Sequence, residues 1–181
     1  RLVSEMLQRY MPQDGTLLEV GPGGGRWTEF LLARSRRLIL VDVAQRCLEL
    51  CRDRFNGDSR LHFWLVKPGS DSFIARAAVP DGSVDAVWSY DAFVHINPTD
   101  IAVYLGDFAR ILRPGGVGVI HHTGRSPSDV DYAEAFRSQM NARFFAHLLA
   151  NHGLELIEQN DALVHKPGDV ITVFRKPAQR R

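Results

Sequence analysis

The stretch LLEVGPGGGRW, residues 17–27, decides the fold and places the first candidate site. An apolar run that ends in a glycine-rich turn is typical of a buried strand followed by a ligand-binding loop. The dinucleotide pattern G-x-G-x-x-G is not completed, because Arg26 stands where its third glycine belongs. Glu19 precedes the first glycine by two residues and would lie badly beside a pyrophosphate. The stretch therefore favours a ligand that carries positive charge.

Strands and helices alternate outward from this stretch. Short apolar runs predict strands at residues 16–21, 37–43, 61–66, 84–90, 116–122, 154–159 and 169–175. Helical spacing and capping residues predict helices at 26–33, 44–55, 98–113 and 142–153. This alternation predicts a mainly parallel sheet with helices on both faces. The last two strands have no helix between them, so we expect them to pair antiparallel.

Ligands of such sheets bind beyond the carboxyl ends of the strands. That rule selects residues 19–25, 42–43, 89–95 and 121–123. Asp42 ends the second strand beside the glycine turn, where a carboxylate can accept both hydroxyls of a ribose. The alternative is an aspartate that caps the helix that follows.

Four segments together resemble the motifs of class I S-adenosylmethionine-dependent methyltransferases. They read LEVGPGGG, LVDV, GSVDAVWSYD and ILRPGGVGVIHH, in the family's order and across nearly the whole chain. The resemblance implies the Rossmann-like methyltransferase fold, an α/β, doubly wound, mainly parallel seven-stranded sheet with an antiparallel last strand. It also implies an enzyme that uses S-adenosyl-L-methionine as its cofactor.

The resemblance assigns cofactor-binding roles at the first two strand ends. It places Glu19 near the methionyl amino group and Asp42 on the ribose. Gly21, Gly23 and Gly25 would let the backbone pass close to the cofactor.

Further cofactor contacts are implied at three other strand ends. Val43 would pack on the adenine. Asp71, or one of its neighbours Ser70 and Ser72, would contact the adenine amino group from the loop after the third strand. Ser89 and Tyr90 would lie under the methionyl arm.

Methyl transfer requires that the acceptor be held in line with the methyl group. A hydroxyl acceptor also needs a base to take its proton. His95, His121 and His122 are the candidates, and His122 is favoured because it lies furthest out along the fifth strand. Adjacent strand residues face opposite sides, so only one of the last two histidines should face the cleft. Asp91 could orient a histidine, bind a substrate hydroxyl or cap the next turn.

The paired histidines resemble a subgroup of small-molecule O-methyltransferases, some of which act on sugars. The predicted function is therefore methyl transfer to a hydroxyl of a small molecule, with a sugar as one option. A magnesium ion held by Asp91 and the three histidines is the metal alternative, but magnesium prefers oxygen ligands and only one acid is present. The sequence therefore favours a site without metal.

Two other function classes compete with the enzyme hypothesis. The first is a non-catalytic, regulatory domain that binds S-adenosylmethionine. The second is a nicotinamide-dependent oxidoreductase, which Arg26 and the antiparallel final strand pair both oppose. Methylation of nucleic-acid bases is disfavoured, because those relatives carry D/N/S-P-P-Y/F/W where residues 89–92 here read SYDA.

Length and composition limit the partners. The 181 residues, 45% hydrophobic and 24% charged, predict a single domain spanning residues 1–181. The chain starts at Arg1 in a helix-like pattern, so we expect a further N-terminal segment before it. No apolar run reaches the roughly 18 residues of a membrane helix, so no membrane partner is expected. The net charge of +1 comes without a basic stripe, so no nucleic acid is expected either.

Two features bear on location and on the acceptor. Cys47 and Cys51 are spaced as two reduced thiols on one helix face, which fits a cytoplasmic protein. The long polar connection at residues 123–140 predicts a lid or binding loop. Arg137 within it either reaches an acidic substrate group or pairs with a surface acid. The oligomeric state is left open, with a homodimer as one option.

Overall fold

Seven strands form one sheet in the structure, a computed structural model that describes residues 3–125 and 137–178. The strands are β1 (Gly15–Val20), β2 (Ser35–Asp42), β3 (Leu61–Leu65), β4 (Val84–Ser89), β5 (Leu112–Thr123), β6 (Glu155–Asn160) and β7 (Asp169–Arg175). Their order across the sheet is β3-β2-β1-β4-β5-β7-β6. The first five are mutually parallel, and β7 runs antiparallel to both of its neighbours. The predicted doubly wound α/β fold is confirmed.

Helices cover both faces of the sheet. A π-helical turn, Val3–Leu7, leads into the short helix α1 (Gln8–Tyr10). The others are α2 (Thr28–Leu32), α3 (Gln45–Arg54), α4 (Pro98–Ile111) and α5 (Ala142–Asn151). Asn97 and Asn141 cap α4 and α5 as predicted, each accepting a hydrogen bond from a backbone N–H three residues on.

Two predicted boundaries shift for local reasons. Helix α2 starts at Thr28 rather than residue 26, because the glycine-rich turn runs on before the chain becomes helical. Strand β5 starts at Leu112 rather than residue 116, because Leu112 already pairs with Val84 of β4 ahead of an irregularity in the register. The predicted lid at residues 123–140 falls mostly on residues 126–136, which lie outside the described residues.

Two apolar cores lie on opposite faces of the sheet. The first contains Phe108 of α4 and Phe145 of α5, and the second contains Leu31 of α2 and Trp88 of β4. Successive residues of β5 alternate between them, as the pleat of a strand requires. This alternation decides where the two histidines at the end of β5 point.

The reversed strand β7 brings one distant acid to the carboxyl end of the sheet. Asp169 is the first residue of β7, and the antiparallel register pairs it with Thr123, the last residue of β5. A residue at the beginning of one strand therefore lies at the edge where the parallel strands end.

Candidate active site

The glycine-rich turn packs directly against the turn that follows β4. Gly21 has φ of +71°, and a Cβ built on it would lie 2.4 Å from the Cβ of Ala92. Only glycine fits here without displacing the neighbouring turn. The Gly21 N–H donates to the carbonyl of Val41 (2.8 Å), which fixes the turn to the end of β2.

Glu19 is buried at the end of β1 and shares a hydrogen bond with a helix residue. The Thr28 hydroxyl donates to its carboxyl group at 2.6 Å. Burial raises the pKa of Glu19 to about 8, despite the lowering effect of that hydrogen bond. A cationic group beside it would favour the ionised form. Sequence analysis missed Thr28, for which the only signal was a polar residue at the start of a short helix.

Asp42 ends β2 with its carboxylate turned towards the glycine turn. Its Oδ1 accepts the N–H of Ala44 at 2.8 Å, so it also has the capping role considered as the alternative. Burial raises its pKa, although backbone N–H groups of Ala44, Val43 and Gly23 oppose that rise. The next residue, Val43, leaves 59% of its surface exposed, which is unusual for a valine at the end of a buried strand.

These residues surround a cavity of about 440 Å³. Among the residues of its wall are four predicted cofactor residues and two from later in the chain: Gly21, Gly23, Asp42, Val43, Phe73 and His95. The volume lies within the range of cofactor pockets, and the wall offers a carboxylate, exposed apolar surface and a glycine cradle. This set fits S-adenosylmethionine, which has a ribose, an adenine and a cationic end.

The loop after β3 is organised differently from the prediction. Ser70 and Asp71 are exposed and do not belong to the cavity wall, where Phe73 lies instead. The loop turns inward because Asp107 of α4, itself buried, accepts the N–H groups of Phe73 (2.8 Å) and Ile74 (2.9 Å). An acid at a buried position of a helix was the signal that sequence analysis overlooked.

Ser89 and Tyr90, predicted to lie under the methionyl arm, make contacts within the protein. The Ser89 hydroxyl donates to the carbonyl of Val20 at 2.8 Å and ties the end of β4 to the end of β1. The Tyr90 ring stacks on His121 at 4.4 Å and packs against Trp27 at 5.1 Å. Both residues thus shape the floor between β1, β4 and β5.

His122 points into the core beneath α5, which corrects the prediction that it faces the cleft. Its side chain is fully buried and stacks on Phe145 at 4.0 Å. Nε2 lies 2.7 Å from the Thr172 hydroxyl and Nδ1 lies 2.7 Å from the Thr123 carbonyl oxygen. Burial lowers its pKa to about 3. Position along the strand suggested His122, but the pleat turns it towards the wrong face.

His121 faces the opposite side of the sheet and is also engaged. Its Nδ1 accepts the backbone N–H of Asp91 at 3.1 Å, and its Nε2 lies 3.3 Å from Oδ2 of Asp169. Asp169 also pairs with Arg137. Arg137 therefore takes neither predicted partner: it binds a buried acid, not a substrate group or a surface acid.

His95 and Asp91 have exposed side chains on the turn between β4 and α4. His95 contributes to the cavity wall, and its backbone N–H closes a turn to the carbonyl of Ala92 at 2.9 Å. Asp91 has φ of +66°, a conformation that residues with a side chain seldom adopt. Of the three predicted histidines, His95 is the one on the wall of the cavity.

Neither a metal-ligand cluster nor a membrane-spanning helix occurs within residues 3–125 and 137–178. In this part of the chain no three His, Cys, Asp or Glu residues gather as a metal ion would require. No helix within the same ranges has the length and apolar character to cross a bilayer.

Known proteins resemble this chain at three levels. The family profile described as a methyltransferase domain matches residues 17–116. A protein of Mycolicibacterium smegmatis named "Probable S-adenosylmethionine-dependent methyltransferase" is 28% identical over 156 residues, which is 84% of this chain and 56% of that protein. A dimethylglycine N-methyltransferase of Parasynechococcus marenigrum is 29% identical over 106 residues, 59% of this chain and 36% of that protein.

Solved structures share the fold at low identity. A methyltransferase from Haloferax volcanii, solved in complex with the Trm112 methyltransferase activator, superposes with a TM-score of 0.76 and 20% identity over 97% of this chain and 88% of that one. The chain spans little more than half of the first curated relative and about a third of the dimethylglycine enzyme. The matched profile covers more than half of the chain, so this protein belongs to the methyltransferase domain family, in the class that uses S-adenosylmethionine.

Proposed function

We propose that the protein transfers a methyl group from S-adenosylmethionine to a hydroxyl of a small molecule, and that His95 takes the hydroxyl proton. The observation that carries the proposal is the position of His95 on the wall of the same cavity that Asp42 and the glycine turn line. Bound S-adenosylmethionine would supply a methyl group already activated by the positively charged sulfur. The chain then needs to bind the cofactor and the acceptor, align the acceptor hydroxyl with the methyl group, and take the hydroxyl proton.

The cofactor side supplies binding groups of the required chemistry. Asp42 would accept the ribose hydroxyls, and the exposed face of Val43 would cover one face of the adenine. Phe73 would close the other side of that pocket, held there by Asp107. Glu19 would balance the methionyl ammonium group of the cofactor, directly or through water. That positive charge would favour loss of the proton from the Glu19 carboxyl group.

The acceptor side favours His95 over the other two histidines. His121 and His122 are both buried, and each uses its ring nitrogens in contacts within the protein. His95 has an exposed side chain beside the cavity, where an acceptor hydroxyl and the donor can meet. An imidazole can remain unprotonated near neutral pH, as a general base must.

The class of acceptor follows from the same surroundings. The exposed carboxylate of Asp91 can accept hydrogen bonds from neighbouring hydroxyls, which suits a sugar or another polyhydroxylated molecule. We place the reaction in the cytoplasm, a location that the two free thiols Cys47 and Cys51 suit.

The test combines binding with turnover. Titration calorimetry should show binding of S-adenosylmethionine and of its demethylated product, weakened about tenfold to hundredfold by Asp42→Asn, because one charged hydrogen-bond acceptor is lost. A panel of hydroxylated metabolites and methyl-labelled cofactor would then identify the acceptor.

His95→Ala should lower kcat by about tenfold or more and leave the product affinity within about twofold. His147→Ala, on the exposed face of α5, is the matched histidine control and should change neither quantity. Binding without transfer to any acceptor would refute the enzyme and favour a regulatory domain. Equal kcat in His95→Ala and the parent would remove His95 from the reaction.

A further inference from the structure

A buried chain of polar contacts runs from β7 to the turn that carries Asp91. Arg137 pairs with one carboxylate oxygen of Asp169, and the other oxygen lies 3.3 Å from Nε2 of His121. Nδ1 of the same ring accepts the backbone N–H of Asp91 at 3.1 Å. The side chains of Asp169 and His121 are 2% and 5% exposed, so these contacts lie away from bulk solvent.

The contacts fix which nitrogen of His121 carries the proton. A backbone N–H can only donate, so the Nδ1 that receives it must be unprotonated. In a neutral ring the proton is then on Nε2, on the side of Asp169. Nε2 makes no aligned hydrogen bond to a described residue, so its attraction to Asp169 is chiefly electrostatic.

Arg137 keeps the carboxylate of Asp169 in the form that this arrangement needs. Burial alone would raise the pKa of Asp169, but its contacts with His121 and Arg137 outweigh burial and leave the pKa below its ordinary value. An ionised Asp169 attracts the Nε2 proton, whereas a neutral acid or an amide could donate to Nε2 instead. The charge of Asp169 therefore favours the same tautomer of His121 that the Asp91 N–H requires.

The tautomer matters because of what Nδ1 holds. Asp91 has a left-handed backbone, with φ of +66°, and the hydrogen bond to His121 supports that unusual conformation. The next residue, Ala92, lies against Gly21 of the cofactor turn. The turn that carries the exposed Asp91 carboxylate thus lies against the cofactor loop through Ala92.

We infer that Asp169, kept ionised by its ion pair with Arg137, is a positioning residue for methyl transfer, acting through His121 on the turn that presents Asp91 to an acceptor hydroxyl. The role of Asp91 towards the acceptor rests on the proposed function, whereas the tautomer of His121 can be measured without any acceptor. Asp169 touches neither ligand in this account.

Asp169→Asn is the decisive variant, because it removes the charge and keeps the shape. Nitrogen NMR of the histidine rings, with the demethylated product bound, should show His121 protonated on Nε2 in the parent. The parent should also show a nitrogen–nitrogen coupling across the hydrogen bond from the Asp91 N–H to Nδ1. In Asp169→Asn we expect the proton to move to Nδ1 and the coupling to vanish.

Turnover should change in step with the spectrum. On the acceptor found by the metabolite panel, kcat should fall at least tenfold in Asp169→Asn, with cofactor-product affinity within about threefold of the parent. Asp169→Glu keeps the charge and should restore the Nε2 tautomer and part of the turnover. If Asp169→Asn does not fold, the same two measurements can be made on Arg137→Gln, which removes the partner charge of Asp169. Arg137→Lys, which keeps that charge, is then the comparison.

Asp85→Asn is the matched control, because Asp85 lies near the amino end of β4, away from the carboxyl ends of the parallel strands where Asp169 lies. The Asp85 carboxylate accepts the N–H of Thr16 at 2.7 Å and pairs with Arg113. Its change to asparagine therefore removes an arginine-paired charge, as Asp169→Asn does, but far from His121. It should lower stability and leave the His121 spectrum and kcat unchanged.

Three outcomes separate the inference from the proposed function. A parent spectrum with the His121 proton on Nδ1, or without the coupling, overturns the inference at once. Normal turnover in Asp169→Asn with a changed spectrum also overturns it and leaves the proposed function intact. Absence of methyl transfer to any acceptor refutes the proposed function, and the inferred role in transfer with it.

Discussion

The half of the site that we propose for the cofactor and the half that we propose for the acceptor are assembled in different ways. Glu19, Gly21, Asp42 and Val43 belong to one continuous strand–turn–helix–strand segment. The acceptor half joins Asp91 and His121 to residues 137 and 169, which come from separate elements. The first half is encoded locally, and the second exists only when the sheet has formed with β7 reversed.

The two halves approach each other closely where Gly21 lies against Ala92. A side chain at Gly21 cannot be accommodated unless the acceptor turn moves, whereas Gly23 has open space around it. Substitutions at these two glycines therefore test whether the halves are coupled.

The largest effect is expected for Gly21→Ala. It should lower the free energy of unfolding by about 3 kcal/mol, since a backbone with positive φ and a close contact both disfavour alanine. Gly23→Ala shares the positive φ without the contact and should lose only about 1 kcal/mol. Urea denaturation of both variants measures the difference, and equal losses would mean that the Ala92 contact is unimportant.

His122→Ala tests whether the histidine on the buried face of β5 contributes to stability and not to turnover. Loss of the stacked ring and of its hydrogen bonds should lower the free energy of unfolding by about 2–3 kcal/mol at pH 7. Turnover of the folded fraction should stay within about twofold of the parent, in contrast to His95→Ala. A tenfold fall in kcat at unchanged stability would instead place His122 in the reaction.

Glu19→Gln tests the buried charge of the cofactor half. The pKa of Glu19 rises from 4.5 in the unfolded chain to about 8 in the fold, so folding takes up a proton between these values and stability falls as pH rises through this window. Between pH 5 and pH 7 the parent should lose roughly 2 kcal/mol of unfolding free energy through Glu19. Glu19→Gln should not show this loss. Its affinity for S-adenosylmethionine should nevertheless fall about tenfold, because the carboxylate is lost.

Urea denaturation at several pH values, without cofactor, provides the measurement. Glu29→Gln changes an exposed carboxylate on α2 and should keep the pH profile of the parent. His122 acts in the opposite sense, because its pKa falls from 6.5 to about 3 and stability is lost as pH falls through that window. The two slopes oppose each other between pH 4.5 and 6.5, so a parent profile that is steep there would contradict at least one of the two assignments.

The local half of the site was predictable from the sequence, and the distant half was not. The glycine turn and Asp42 follow from a strand, its turn and the next strand end, so their proximity needs only the parallel crossover. The choice between His121 and His122 depends on which face α5 covers, and that is a tertiary fact. Asp169 could not be found, because its importance arises from the antiparallel register with β5.

The loop after β3 failed prediction for a related reason. Ser70 and Asp71 have the right chemistry for an adenine amino group, but chemistry does not determine the path of a loop. Asp107, an acid more than thirty residues later, draws the backbone of Phe73 and Ile74 inward and leaves the polar residues outside. A buried carboxylate that accepts several N–H groups organises a loop as effectively as a regular turn does.

The contact between Gly21 and Ala92 has a consequence for the order of events in a reaction cycle. If the acceptor binds at the Asp91 turn as proposed, a cofactor loop that shifts on binding would move that turn through Ala92, and the two binding equilibria would be linked. Such linkage is reciprocal: the factor by which the donor changes acceptor affinity equals the factor by which the acceptor changes donor affinity. The absence of a single Cβ would then allow one product to hasten or delay the departure of the other.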